Sequence, residues 1–139
     1  MVGALGAIAL LAAAASGCGG SSGYANAARP PAMQSISISV FDARVDVSPT
    51  HIGAGPIVLL IANESTRSRD VTLRGASGGR ACVGADASSG PINPQSTARV
   101  QLALVEGSCE VGVAGGGPAP ARLVVGHERP SAQQDLLQP

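Results

Sequence analysis

Lysine and tryptophan are absent from the sequence, and Phe41 and Tyr24 are its only aromatic residues. Without Lys, a Walker-type phosphate loop is excluded, because that loop uses a Lys against the phosphates. Charge of one sign is also missing: nine Arg face nine Asp and Glu, for a formal net charge of zero. Such a balance leaves no basic footprint for a nucleic-acid partner. Scarce aromatics mean that the core is built from Val, Ile and Leu, which bury less area per residue than rings do. A small core of that kind is marginal and gains from a covalent staple.

What is present begins with an apolar run, Val2 to Ala15, closed by Ser16, Gly17 and Cys18. Its length of about 14 residues falls short of the roughly 20 that span a bilayer. It has the length and small-residue finish of a signal-peptide core. Ala15-Ser16-Gly17-Cys18 resembles a bacterial lipobox, which implies a signal peptide over 1–17 and lipidation of Cys18. The other reading is an ordinary secretory signal cut after Ala25-Asn26-Ala27. Both readings export the protein; the first anchors it to the cell membrane, facing outside the cytoplasm. Residues 18–34 lack periodicity and read as a flexible tether, reaching on the order of 20 Å as a random coil.

From Ser35 the pattern changes. Ser35-Ile36-Ser37-Ile38-Ser39-Val40 alternates strictly, the period of a strand with one buried face. Further strands are expected at Arg44 to Val47, Ile57 to Ala62, Asp70 to Leu73, Arg99 to Leu104, Cys109 to Val113 and Arg122 to Val125. Ile57 to Ile61 is continuously apolar, as expected of a central strand covered on both faces. Gly53-Ala54-Gly55-Pro56, Gly78-Gly79, Gly90-Pro91, Asn93-Pro94 and Gly115-Gly116-Gly117-Pro118 punctuate these runs. Short strands between Gly/Pro turns predict an all-β Greek-key sandwich or barrel over 35–127. The polar, Pro-bounded stretch 128–139 reads as a disordered tail.

The order of these features resembles cupredoxin-like (plastocyanin-like) domains between Ser35 and Gly126. The likeness rests on the opening alternating strand, the Ala54-Gly55-Pro56 turn into Ile57 to Asn63, the Gly90-Pro91-Ile92-Asn93-Pro94 approach to a strand, and the Leu104-Val105-Glu106-Gly107 turn. That resemblance implies a β-sandwich. It also implies a copper site, with a His shortly after the Asn-ending strand and a Cys, a second His and often a Met near the last hairpin. Glu64 to Val71 contains no His, and Glu110 to Pro120 contains neither His nor Met. His51 and His127, the only histidines, fall before the core strand and after the last one. A blue-copper site needs two imidazoles and a thiolate together. The resemblance therefore extends to the scaffold and not to its metal.

If Cys18 carries lipid, Cys82 and Cys109 remain as an even pair, and an oxidising compartment favours their disulfide. A metal or redox pair is the alternative, although no Cys-x-x-Cys spacing occurs. Gly75-Ala76-Ser77-Gly78-Gly79 matches the nucleophile-elbow pattern, but that elbow needs a following helix in a large α/β sheet. Asn63-Glu64-Ser65 is a glycosylation sequon, meaningful only in a eukaryotic secretory pathway. Asp42 with Asp46 and Glu106 with Glu110 read as strand-end charges. Arg67, Arg69, Arg74 and Arg80 form a candidate anion-binding cluster, interleaved with Glu64 and Asp70. The expectation is a lipid-anchored, non-catalytic envelope protein. It has no cofactor, an unidentified envelope partner and a binding or structural β-module. The alternative is a copper-binding electron-transfer or copper-handling protein.

Overall fold

A computed structural model describes residues 30–131. The expected signal segment 1–17, the expected lipidation site Cys18, and the parts of the expected tether and tail at 18–29 and 132–139 lie outside the described residues. The alternating Ser/Ile run forms β1 (Gln34–Val40), with Ile36, Ile38 and Val40 buried and most of its polar positions exposed. Then follow β2 (Val45–Ser48), β3 (His51–Asn63), β4 (Arg69–Gly75), β5 (Ala87–Ile92), β6 (Ser96–Leu104), β7 (Gly107–Val113) and β8 (Ala121–Glu128). No helix occurs among the described residues. The architecture is an all-β Greek-key sandwich, consistent with the cupredoxin-like fold that the strand order implied.

One sheet runs β2-β1-β3-β6 and the other β3-β8-β7-β4-β5, so β3 serves both. Its first residues, His51 to Ala54, pair parallel with β8, whereas Ile57 to Asn63 lie between β1 and β6. β8 starts parallel to the chain entering β2 at the Arg44–Ala119 bridge, and β2 is antiparallel to β1. The two halves of β3 therefore run in opposite senses, and the chain reverses at Gly53 to Pro56. Glycine is required at this corner: a Cβ on Gly53 would sit 2.5 Å from Arg129 Cγ, and one on Gly55 (φ 129°) 2.7 Å from Pro31 Cγ. The turn expected there is real, although β-pairing continues through it.

The core between the sheets is aliphatic, as the composition required. Ile36, Ile57, Ile61, Leu73, Val111 and Leu123 are among its fully buried members. Phe41 lies outside this core, half-buried beneath the Arg44 guanidinium at 4.7 Å.

Three expectations change. First, cover on both faces of β3 is partial: Ile57, Leu59 and Ile61 point inward, and on the outer face Val58 is buried at 3% exposure whereas Leu60 is 41% exposed. Second, Gly90-Pro91 lies inside a strand, β5, and not between strands. As an edge strand β5 tolerates the missing Pro N–H. Its register slips between Asp70 and Thr72, where Ser89 Oγ accepts the Val71 N–H at 3.0 Å. Third, β8 extends to Glu128 and Arg129 folds back onto the domain, so the ordered chain continues past the boundary expected at 128. At the other terminus, Pro31 is buried and Gln34 opens β1, within the stretch expected to be tether.

Candidate functional site

The strand directions bring the loops to two ends. The upper end carries residues 41–44, 64–68, 93–95 and 114–120; the lower carries the start of the described chain, the β3 corner, the β4–β5 loop and the β6–β7 turn.

Asn63 organises the upper end. It is fully buried, and its amide donates to the Arg67 and Ile92 carbonyls, both at 2.8 Å. Its Oδ1 accepts from Ser65 N–H at 3.0 Å and from Ser65 Oγ at 2.6 Å. Both amide hydrogens are thus committed inside the protein, and the sequon reads as structure. Arg69 Nε donates to Ser65 Oγ at 3.1 Å, and its terminal nitrogen lies 3.4 Å from Asp42. Thr66 donates to the same Asp42 oxygen through its backbone N–H at 3.2 Å and its hydroxyl at 3.1 Å. The backbone bond from Thr66 contributes most to holding the Asp42 carboxyl below its usual value, with the Thr66 hydroxyl and Arg69 adding to it.

This is the end where the resemblance would place copper. The donor set there does not fit such a centre, since it consists of Asn, Ser, Thr, Arg and Asp. The two histidines lie elsewhere and are exposed: His51 contacts Thr50 Oγ1 at 3.1 Å, and His127 Nδ1 contacts Glu106 at 3.0 Å. Cys109 is disulfide-bonded and has no free thiolate. Among the described residues no group of three or more His, Cys, Asp or Glu side chains is placed to hold a metal.

The four arginines do not converge. Arg67 and Arg69 belong to the upper end, while Arg74 approaches Asp86 at 3.7 Å near the lower end and Arg80 is exposed in the β4–β5 loop. Arg69 and Arg74 are five steps apart along β4, about 17 Å at strand rise. Spacing along the sequence made them neighbours; an extended strand separates them.

At the lower end the Cys82–Cys109 disulfide ties the β4–β5 loop to β7, with the two Cα atoms 5.4 Å apart. Backbone bonds reinforce that seam: Ser108 N–H to Arg80 O at 2.8 Å, Ala76 N–H to Ser108 O at 3.0 Å and Val105 N–H to Cys82 O at 2.9 Å. A Cβ on Gly107 would overlap the Arg80 carbonyl, which is why this approach needs glycine. Ser77 is exposed in the same loop, and no helix follows it to make an elbow.

Beside this seam lies an open groove of about 590 Å³, with Pro31, Pro56, Leu104 and Val105 on its wall and Glu106 and Glu128 on its rim. Val105 is 45% exposed. Arg129 fastens the chain segments beside the groove. Its guanidinium donates to the carbonyls of Ala32 at 3.1 Å, Ala54 at 3.2 Å and Pro56 at 2.7 Å. Burial lowers its pKa. The sequence held no signal for this residue, because its partners are main-chain carbonyls from two distant segments.

No protein-family model matches the sequence, and no curated protein does. Among solved structures the chain is similar to a multicopper oxidase, mgLAC, with a TM-score of 0.42 and 9% identity, over 76% of this chain and 42% of that one. The chain thus spans less than half the length of that oxidase.

Proposed function

We propose that this chain is an exported, lipid-anchored envelope protein whose β-sandwich works by binding or structural association, without catalysis and without copper. The observation that carries the reading is the lower-end groove. It is apolar, partly exposed, and lined by Pro30 and Pro31, twelve residues after Cys18. A random coil of twelve residues averages roughly 20 Å end to end, which sets the typical distance between the groove and the proposed lipid attachment point. The upper end supports the copper-free part of the reading, since its polar groups are engaged with one another and include no imidazole or thiolate. Two acyl chains on Cys18 would give stable retention, where one chain binds only marginally.

The deciding experiment is intact-mass and N-terminal peptide mass spectrometry of the membrane-extracted protein. The expected product begins at Cys18 and carries a diacylglyceryl group. An unmodified Cys18, or cleavage after Ala27, would sink the anchor. Copper(II) titration of the same protein is expected to give no intense blue band. A strong charge-transfer band at one equivalent would reassign the chain to electron transfer.

A further inference from the structure

Strand edges are where sheets recruit other chains, and natural proteins usually blunt them. Among the described residues three edges are short or interrupted. β2 has four residues, with Asp46 paired to Arg44 at 3.0 Å. The His51 to Ala54 half of β3 is equally short and ends at the corner. β5 contains Gly90 (φ 69°) and Pro91, and its register slips against β4. β6 differs. It pairs only with β3, runs nine residues as Ser-Thr-Ala-Arg-Val-Gln-Leu-Ala-Leu, contains no Gly or Pro, and has Arg99 as its single charge. Ala98, Val100 and Leu102 face the core but are only partly buried.

We propose that β6 is a dimerisation edge, to which a second copy of this chain adds its own β6 antiparallel, joining two four-stranded sheets into one of eight. The sequence of β6 favours itself as partner. The register that pairs all nine residues is centred on Val100, and it keeps core-facing residues on one face. It sets Ala98 opposite Leu102 and Val100 opposite Val100 on that face. On the outer face it sets Arg99 opposite Gln101 and Thr97 opposite Ala103. No like charges stand directly opposite, whereas a shift of one step centred on Arg99 would oppose the two guanidinium groups. Isologous contact of this kind closes at two copies and does not propagate along that edge. The two tether-bearing ends would lie roughly 30 Å apart along nine paired residues, and a twelve-residue tether spans up to about 40 Å, so both copies can reach one membrane. The dimer does not depend on lipidation.

A single strand pair is a small interface, so the dissociation constant is expected between about 10 μM and about 1 mM. The test is sedimentation equilibrium of the full chain in density-matched detergent, up to about 1 mM. It compares wild type with Gln101→Glu and Gln101→Arg, whose side chains are exposed on the outer face. Gln101→Glu places a carboxylate opposite Arg99 twice across the axis and tightens the dimer roughly two- to thirtyfold; Gln101→Arg opposes like charges twice and loosens it comparably. Thermal unfolding checks that all three remain folded. A wild type that stays monomeric throughout, or any response other than tightening by Glu and loosening by Arg, overturns the proposal.

Discussion

Replacing Asn63 by Ala removes one buried amide that serves four partners. The Ile92 carbonyl and the Ser65 N–H are buried and lose their hydrogen-bond partner, while the Arg67 carbonyl is partly open to water. An unsatisfied buried group costs about 1–3 kcal/mol. Two such groups, with a smaller loss at Arg67, set the expected destabilisation near 3–4 kcal/mol. That is a large share of the roughly 5–15 kcal/mol typical of a domain. With a urea dependence of about 1–1.5 kcal/mol/M for a chain of this size, the midpoint should fall by roughly 2–4 M. Equilibrium urea unfolding of wild type, Asn63→Ala, Ser65→Ala and the double variant measures it. Ser65→Ala alone should cost about 1 kcal/mol, and the double variant should fall short of the sum, because the two side chains share a bond of 2.6 Å. A midpoint shift below about 0.5 M for Asn63→Ala would refute the reasoning. It would mean that water or loop movement takes over the amide's partners.

Three further outcomes are expected. Replacing Cys82 and Cys109 together by Ala should cost roughly 3.5 kcal/mol, from the loop closed over a separation of 27 residues, and calorimetry with and without reductant on the wild type should agree. Asp42 titrates below its usual value, so its contribution to stability is complete above about pH 4 and is lost as pH falls through the depressed pKa; Asp42→Asn should flatten that part of the stability–pH curve in acid melts. Gly53→Ala drives a Cβ into Arg129 and should destabilise by about 1–3 kcal/mol, while the same change in an Arg129→Ala background should cost measurably less. Equal cost in both backgrounds would show that the clash does not run through Arg129.

Period-two alternation placed β1 within one residue, and Gly/Pro punctuation placed the β3 corner, because both are local properties of the chain. Cysteine parity, under the expectation that Cys18 is lipidated and the chain exported, pointed to the Cys82–Cys109 pair, and the structure contains that disulfide. β5 escaped the sequence pattern because Pro91 and Gly90 read locally as breakers, and only its edge position in the sheet makes them tolerable. Composition along Ile57 to Ile61 calls for cover on both faces, and the outer face meets it at Val58 but not at Leu60, because how far cover extends along that face is a property of packing. The arginine cluster looked compact because sequence distance is short where strand distance is long. Arg129 and Asn63 owe their roles to main-chain carbonyls brought together by the fold. Every residue has such a carbonyl, so no side-chain pattern marks which ones a given arginine or asparagine will find. Strand period and an aliphatic core are local or compositional properties, so both can be read directly from the order of residues. Which polar atoms converge depends on contacts between segments far apart in the chain, and these form only on folding.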